Sequence, residues 1–121
     1  MTHKIMIVDD NKVLSDMYKL KLTLEGYEVF VENESENAVE SFQKFKPDLI
    51  LLDLMMPGVN GFDILKDIRS DSNNDVKIII SSNLSSQEDK DNVITLGADK
   101  FLLKADVSPK ELILEIKTIL G

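Results

Sequence analysis

Side chains that can handle phosphate or a metal ion follow four of the five apolar segments that the sequence predicts as β-strands. Asp9 and Asp10 follow the first segment, and Asp53 follows the third. Ser82 follows the fourth segment and Lys104 the fifth. If these strands lie parallel in one sheet, their carboxyl ends meet at one edge, and ligands of such sheets bind there. Three carboxylates, a hydroxyl and an ammonium would then converge, a group that could bind a divalent cation and hold a phosphoryl group.

The three carboxylates would repel one another in the absence of a cation. Two carboxylates about 4 Å apart repel by roughly 4 kcal/mol at an effective dielectric constant of about 20. Three of them must therefore bind protons in part or recruit a cation. Because the ligands are oxygen atoms and the chain has no cysteine, the pattern indicates a hard ion. Mg²⁺ is the first choice and Mn²⁺ a substitute.

The remaining side chains suit phosphoryl transfer. Asp53 is the natural nucleophile, since a carboxylate can form an aspartyl phosphate. Lys104 would offset the charge of Asp53 at rest and contact a phosphoryl oxygen afterwards, and Ser82 offers a hydroxyl to another such oxygen. Each residue alone has a simpler explanation: Asp10 could cap the next helix, and a lysine at a strand end is usually solvated. Their coincidence at one sheet edge favours the site.

Strands and helices alternate along the whole chain. The predicted strands cover residues 4–8, 27–32, 48–52, 76–81 and 99–103, and the second carries polar residues at both ends, as an edge strand does. Residues 71–75 form a polar loop. Near-continuous apolar runs are typical of strands covered on both faces. The pattern predicts an α/β fold of doubly wound (βα)5 type, with a five-stranded parallel sheet.

Helical periodicity and capping residues predict the helices. Gly26, Pro47 and Gly97 end three of them. The other signals mark where helices begin. Asn60 is a candidate cap, and Ser85 with Glu88 matches a capping box. Ser108, Pro109 and Glu111 form a second capping box with a proline in the first turn. The apolar positions at helical spacing are Val13, Met17, Leu20 and Leu24; Ala38, Val39, Phe42 and Phe45; Phe62, Leu65 and Ile68; and Leu112, Ile113, Ile116 and Leu120.

The bulk composition predicts one ordinary globular domain over residues 1–121. Its apolar fraction of 43% and charged fraction of 30% are usual for such domains. We expect no membrane segment and no signal peptide, with a cytoplasmic location as the default. A net charge of −8 argues against direct nucleic-acid binding, because no basic patch is available to displace counterions.

At this point the sequence resembles the receiver domains of two-component response regulators, in the manner of a stand-alone chemotaxis regulator. The resemblance covers essentially all of the chain. Each marker is modest alone, and their combined spacing is specific. The markers are Asp9-Asp10, the segment Asp53-Leu54-Met55-Met56-Pro57-Gly58-Val59-Asn60-Gly61, Ser82 and Lys104.

This resemblance implies a flavodoxin-like strand order 2-1-3-4-5 and a phosphoacceptor switch. Asp53 would accept phosphate from a histidine kinase or phosphotransfer protein. Mg²⁺ would be held by Asp10, Asp53 and the backbone carbonyl of Met55, with Asp9 close by, often through water. Ser82 matches the switch hydroxyl and Phe101 the aromatic switch position. The fourth helix, fifth strand and fifth helix would form the surface that controls a protein partner.

Two positions depart from the family pattern. The family usually has proline after the lysine, in a cis peptide, whereas this chain has Ala105. A non-proline cis bond costs about 3–4 kcal/mol, so the sequence leaves open whether this bond is cis or trans and whether the loop follows the family pattern. Asn83 stands where the family often has a small residue. We hypothesise that its bulk narrows access to Asp53 and slows phosphate exchange.

Two other functions compete with this interpretation. The first is a Mg²⁺-dependent phosphohydrolase that uses Asp53 as its nucleophile. Such phosphatases have a second acid two residues later, where this chain has Met55, so a turnover enzyme is not expected. The second is a flavin-binding module, which needs a hydroxyl-rich loop after the first strand. This chain has Asp9-Asp10-Asn11 there.

Overall fold

Strands and helices alternate along the computed structural model, which describes residues 2–70, 75–84 and 86–121. Short 3₁₀ turns cover Ser35–Asn37 and Lys104–Asp106. The predicted strands are present with bounds shifted by at most one residue. The elements are β1 (Lys4–Val8), α1 (Lys12–Leu24), β2 (Glu28–Glu32), α2 (Ala38–Phe45), β3 (Leu49–Leu52), α3 (Gly61–Ser70), β4 (Lys77–Ser82), α4 (Gln87–Thr95), β5 (Lys100–Leu103) and α5 (Pro109–Leu120).

The strands form one parallel sheet of five strands in the order β2-β1-β3-β4-β5. β2 lies at an edge, as its polar ends predicted. Val8 is in register with Leu52, and Leu52 with Ile80, so the carboxyl ends of the three central strands are level. The order of the strands reverses between β1 and β3, and this is where ligands bind in such sheets. The predicted fold class and strand order are confirmed.

Alternate residues of each central strand pack on opposite faces of the sheet, as the two-residue period of a strand requires. Met6, Ile50 and Ile78 belong to the core under α2, α3 and α4. Ile5 and Ile79 belong to the core under α1 and α5. Burial on both faces explains why these strands are apolar throughout. Among the described residues, no helix combines the length and the apolar character needed to cross a bilayer.

Local capping explains where the helices begin. Ser108 and Glu111 form the predicted capping box at the start of α5. Asn60 Oδ1 accepts a hydrogen bond of 2.8 Å from the Phe62 N–H at the start of α3. Ser86 caps α4 by accepting from the Asp89 N–H, one residue after the predicted cap. Ser85 itself lies outside the described residues, as do residues 71–74 of the predicted polar loop.

The helix α1 is present, but the apolar stripe predicted for it is wrong at three of its four residues, and only Met17 packs against the core. Val13, Leu20 and Leu24 are 83%, 62% and 78% exposed. Tyr18 and Leu22 face the sheet instead. Apolar residues lie on more than one side of α1, so helical periodicity alone does not show which side packs against the sheet. The other predicted stripes face the sheet, although five of their residues are only partly buried: Val39, Phe45, Phe62, Ile113 and Leu120.

Candidate functional site

Three carboxylates meet at the carboxyl end of the sheet. Asp9 and Asp10 follow β1, and Asp53 follows β3, which pairs with β1. The backbone N–H of Asp53 donates to the carbonyl of Val8 at 3.0 Å, which ties the two strand ends together. One oxygen of each carboxylate lies within 4.8 Å of the others. Asp9 and Asp53 are buried and Asp10 is exposed, so the group lies at the floor of an open site.

Lys104 reaches this cluster from the end of β5. Its Nζ lies 2.6 Å from Asp9 Oδ2 and 3.1 Å from Asp53 Oδ2. The sequence predicted the contact with Asp53, whereas the shorter contact with Asp9 was not predicted. One ammonium faces three carboxylates, so negative charge remains in excess. A hard cation therefore fits this site, because its side-chain donors are carboxylate oxygens and no sulfur is present.

Burial and neighbouring charges shift the pKa values of Asp53 and Lys104. It raises the pKa of Asp53 above its ordinary value; the Met55 N–H and Lys104 oppose that shift and Asp9 adds to it. Burial lowers the pKa of Lys104, but hydrogen bonds and charges from Asp9 and Asp53 outweigh it and raise that pKa overall. Desolvation thus outweighs the ion pair at Asp53. The site destabilises the ionised carboxylate that a nucleophile needs.

The loop after β3 holds the Asp53 side chain in place. The N–H of Met55 donates to Asp53 Oδ1 at 3.0 Å, which leaves Oδ2 for Lys104. The Met55 side chain is largely exposed, so position 55 supplies a backbone group and no acid. This arrangement orients one carboxylate oxygen and leaves the other facing the ammonium.

Ser82 and Phe101 lie on neighbouring strands, β4 and β5. Ser82 is fully buried, and its Oγ accepts a hydrogen bond of 3.2 Å from the N–H of Leu84. It is in register with Leu103, the residue before Lys104. Phe101 is partly buried, and its ring centre lies 5.8 Å from Nζ of Lys90 on α4. The two predicted switch positions thus lie near Lys104 and near α4, respectively.

The structure decides the conformation of the peptide bond that follows Lys104. No peptide bond in the described parts of the chain is cis, so the Lys104–Ala105 bond is trans. Asn83 is exposed and lines a surface cavity of about 360 Å³ together with Asn11, Tyr18 and Lys104. A side chain at position 83 therefore stands at the opening beside the lysine.

Sequence reasoning missed two polar residues behind the site. Asn33 and Ser35 follow β2 and bond to the loops that carry the acids. Asn33-Glu34-Ser35 matches only a glycosylation sequon, which does not indicate a contact with the acid-bearing loops, so sequence reasoning did not identify this role. Asn11 also caps α1 directly after the acids by accepting from the Leu14 N–H at 3.1 Å.

Comparison with known proteins agrees with this geometry. The chain is 28% identical to the chemotaxis protein CheY4 of Vibrio cholerae, with a TM-score of 0.88 and coverage of 98% of each chain. It is 27% identical to a CheY-like response regulator receiver domain protein from Methanospirillum hungatei, with a TM-score of 0.89 and coverage of 99% of this chain and 94% of that one.

Curated relatives are similar over nearly the whole chain. Probable transcriptional regulators named ycf27 are 35% identical in Porphyridium aerugineum and 36% in Guillardia theta, each over 97% of this chain. The chain spans about half the length of these relatives, 48% and 45% respectively. Residues 5–117 match the family described as the response regulator receiver domain. The chain therefore belongs to the receiver domain family of two-component response regulators.

Proposed function

We propose that this chain is a phosphoacceptor signalling switch in which Asp53 receives a phosphoryl group from a histidine kinase or a phosphotransfer protein. The observation that carries this proposal is the buried Asp53 carboxylate, which lies beside Asp9 and Asp10 and 3.1 Å from Lys104 Nζ. An Asp53 carboxylate oxygen bonds to phosphorus while the bond between phosphorus and the imidazole nitrogen of phosphohistidine breaks. The imidazole leaves with that electron pair.

The residues around Asp53 have distinct roles in this proposal. Asp10, Asp53 and the backbone carbonyl of Met55 would hold Mg²⁺, or Mn²⁺ in its place, with Asp9 close by through water. When bound, the cation supplies positive charge to the oxygens of the transferring group. Lys104 neutralises a phosphoryl oxygen, and Ser82 donates its hydroxyl to another.

Modification then shifts an equilibrium between two conformations. Phosphoryl oxygens give Ser82 and Lys104 a new partner, and the conformation that makes these contacts gains population. Ser82 moves inward, Phe101 follows, and the surface formed by α4, β5 and α5 changes its affinity for a protein partner. We place the domain over residues 1–121, with a cytoplasmic location. Since the net charge is −8, we propose that this region contacts proteins and neither nucleic acid nor a membrane.

Intact mass after incubation with acetyl phosphate and Mg²⁺ tests the acceptor. We expect one added phosphoryl group on the wild type, none on Asp53→Asn and one on Asp67→Asn, which removes an exposed carboxylate on α3. Chelation of the cation should abolish the adduct. An adduct on Asp53→Asn, or none on the wild type, would refute the assignment.

Amide spectra with beryllofluoride and Mg²⁺ test the switch. We expect shifts in residues 82–104, which lie between the hydroxyl and the lysine, and little change at the opposite end of the sheet. Unchanged spectra in that segment would contradict the switch while leaving phosphorylation possible. The phosphohydrolase alternative predicts steady turnover of a small phosphate ester, whereas the switch acts only on its own Asp53.

A further inference from the structure

The connection between β2 and α2 bonds to both loops that carry the acids. Asn33 and Ser35 stand two positions apart in this connection. Nδ2 of Asn33 donates to the backbone carbonyl of Asp9 at 2.7 Å and to Oγ of Ser15 at 3.0 Å. Ser15 is fully buried on α1. Asn33 therefore fixes the backbone at the end of β1, between the two acids and α1.

Ser35 makes the corresponding contacts with the loop after β3. Its Oγ donates to the carbonyl of Pro57 at 2.7 Å and accepts from the N–H of Val59 at 2.9 Å. Ser35 is 3% exposed, so water does not readily replace these bonds. A single hydroxyl thus satisfies two backbone groups of the loop that contains Met55.

Gly58 lies between these two bonds, at a position where a side chain would meet the β2–α2 connection. Gly58 has a φ of +94°, which side-chain-bearing residues rarely adopt. A Cβ at this position would lie 2.5 Å from Ser35 Oγ and 2.2 Å from Glu36 Oε1. The loop is therefore held in close contact with the β2–α2 connection.

We propose that Asn33 and Ser35 form a brace that holds the acid-bearing loops after β1 and β3 in fixed positions relative to each other. They are positioning residues, because neither contacts a carboxylate of the cluster in the described structure. The inference rests on the proposed function, since the brace acts by placing Asp9, Asp10 and the Met55 carbonyl around one cation. Groups that orient metal ligands change metal affinity without touching the ion.

Calorimetric titration with Mg²⁺ alone tests this brace in the wild type, Asn33→Ala and Ser35→Ala. We expect each variant to bind Mg²⁺ about tenfold more weakly. Ser70→Ala is the control. It removes a hydroxyl at the end of α3 that donates to the backbone carbonyl of Asp67 at 2.8 Å and bonds to neither acid-bearing loop. We expect its Mg²⁺ affinity to stay close to that of the wild type.

A second readout separates positioning from general weakening of the fold. Phosphorylation by acetyl phosphate should need about tenfold more Mg²⁺ for half-maximal rate in both brace variants, with a maximal rate close to that of the wild type. Thermal unfolding curves identify a temperature at which every variant is folded, and the comparison is made at that temperature. If Ser35→Ala does not fold, Asn33→Ala carries the same comparison.

Unchanged Mg²⁺ affinity in the folded brace variants would overturn the inference, as would an equal loss in Ser70→Ala. Either result leaves the proposed function intact if the wild type binds Mg²⁺ and is phosphorylated. A wild type that binds no Mg²⁺ would overturn the proposed function, and the brace with it.

Discussion

Replacing Asp53 with Asn should stabilise the protein when no divalent cation is present. Asp53 lies within 4.8 Å of two other carboxylates, and each repulsion amounts to about 3.5 kcal/mol or more at an effective dielectric constant near 20. Its attraction to Lys104 at 3.1 Å amounts to about 5 kcal/mol on the same scale. The balance of these charge interactions favours the variant by about 2 kcal/mol. The neutral amide also avoids the cost of burying a charge, which adds to this figure in the same direction. An amide oxygen can still accept from the Met55 N–H.

The pH dependence of this gain has a definite sign. Burial raises the pKa of Asp53, so the folded state binds its proton more tightly than the unfolded chain. The wild type therefore loses stability as pH rises through the raised pKa of Asp53, and Asp53→Asn does not. The advantage of the variant should be full near neutral pH. It should shrink as pH falls from the raised pKa of folded Asp53 towards about 4, the ordinary carboxyl pKa, and be absent below that, where both states are protonated.

Urea unfolding followed by circular dichroism measures the difference in stability between the wild type and Asp53→Asn, both in chelator and in Mg²⁺. Mg²⁺ at ten times its dissociation constant stabilises the wild type by about 1.4 kcal/mol. Asp53→Asn has lost a Mg²⁺ ligand and should be stabilised less by Mg²⁺. The difference in stability between the variant and the wild type should therefore narrow. Asp67→Asn, an exposed carboxylate on α3, should change stability by less than about 0.5 kcal/mol. A variant less stable than the wild type in chelator at neutral pH would refute the electrostatic argument.

Three further substitutions test other parts of the site. Lys104→Met leaves two buried carboxylates without their counter-ion and should cost about 3–5 kcal/mol in urea unfolding; a loss below 1 kcal/mol would contradict the buried pair. Since those carboxylates raise the pKa of Lys104, wild-type stability should fall as alkaline pH passes that pKa, and a flat profile would argue against it. Asn83→Ala should speed both phosphorylation and dephosphorylation, and unchanged rates in both assays would dismiss the steric hypothesis. Gly61→Ala would place a Cβ 2.6 Å from the Leu54 Cα and should cost about 1–3 kcal/mol in the same unfolding assay, unless the backbone shifts freely.

Local patterns in the sequence were enough to predict the fold and the convergence of the acids. Apolar runs that end at Asp9, Asp53 and Lys104 identify parallel strands, and parallel strands present their carboxyl ends at one edge. Caps such as Ser108 act within one turn of helix, so they can be recognised from neighbours in sequence. The strand order itself came from the family resemblance, because alternation alone leaves several right-handed arrangements open.

Only the tertiary structure decided which face α1 buries and what lies behind the acids. The stripe through Val13 and Leu20 has a sound helical period, yet the sheet packs against Tyr18 and Leu22. The bond from Lys104 to Asp9 spans 95 positions, and the bond from Ser35 to Pro57 spans 22. Helical periodicity and capping involve residues that are only a few positions apart in the sequence, whereas these contacts depend on how separate elements pack. The sequence thus determined the acid-bearing strand ends, and packing determined their partners.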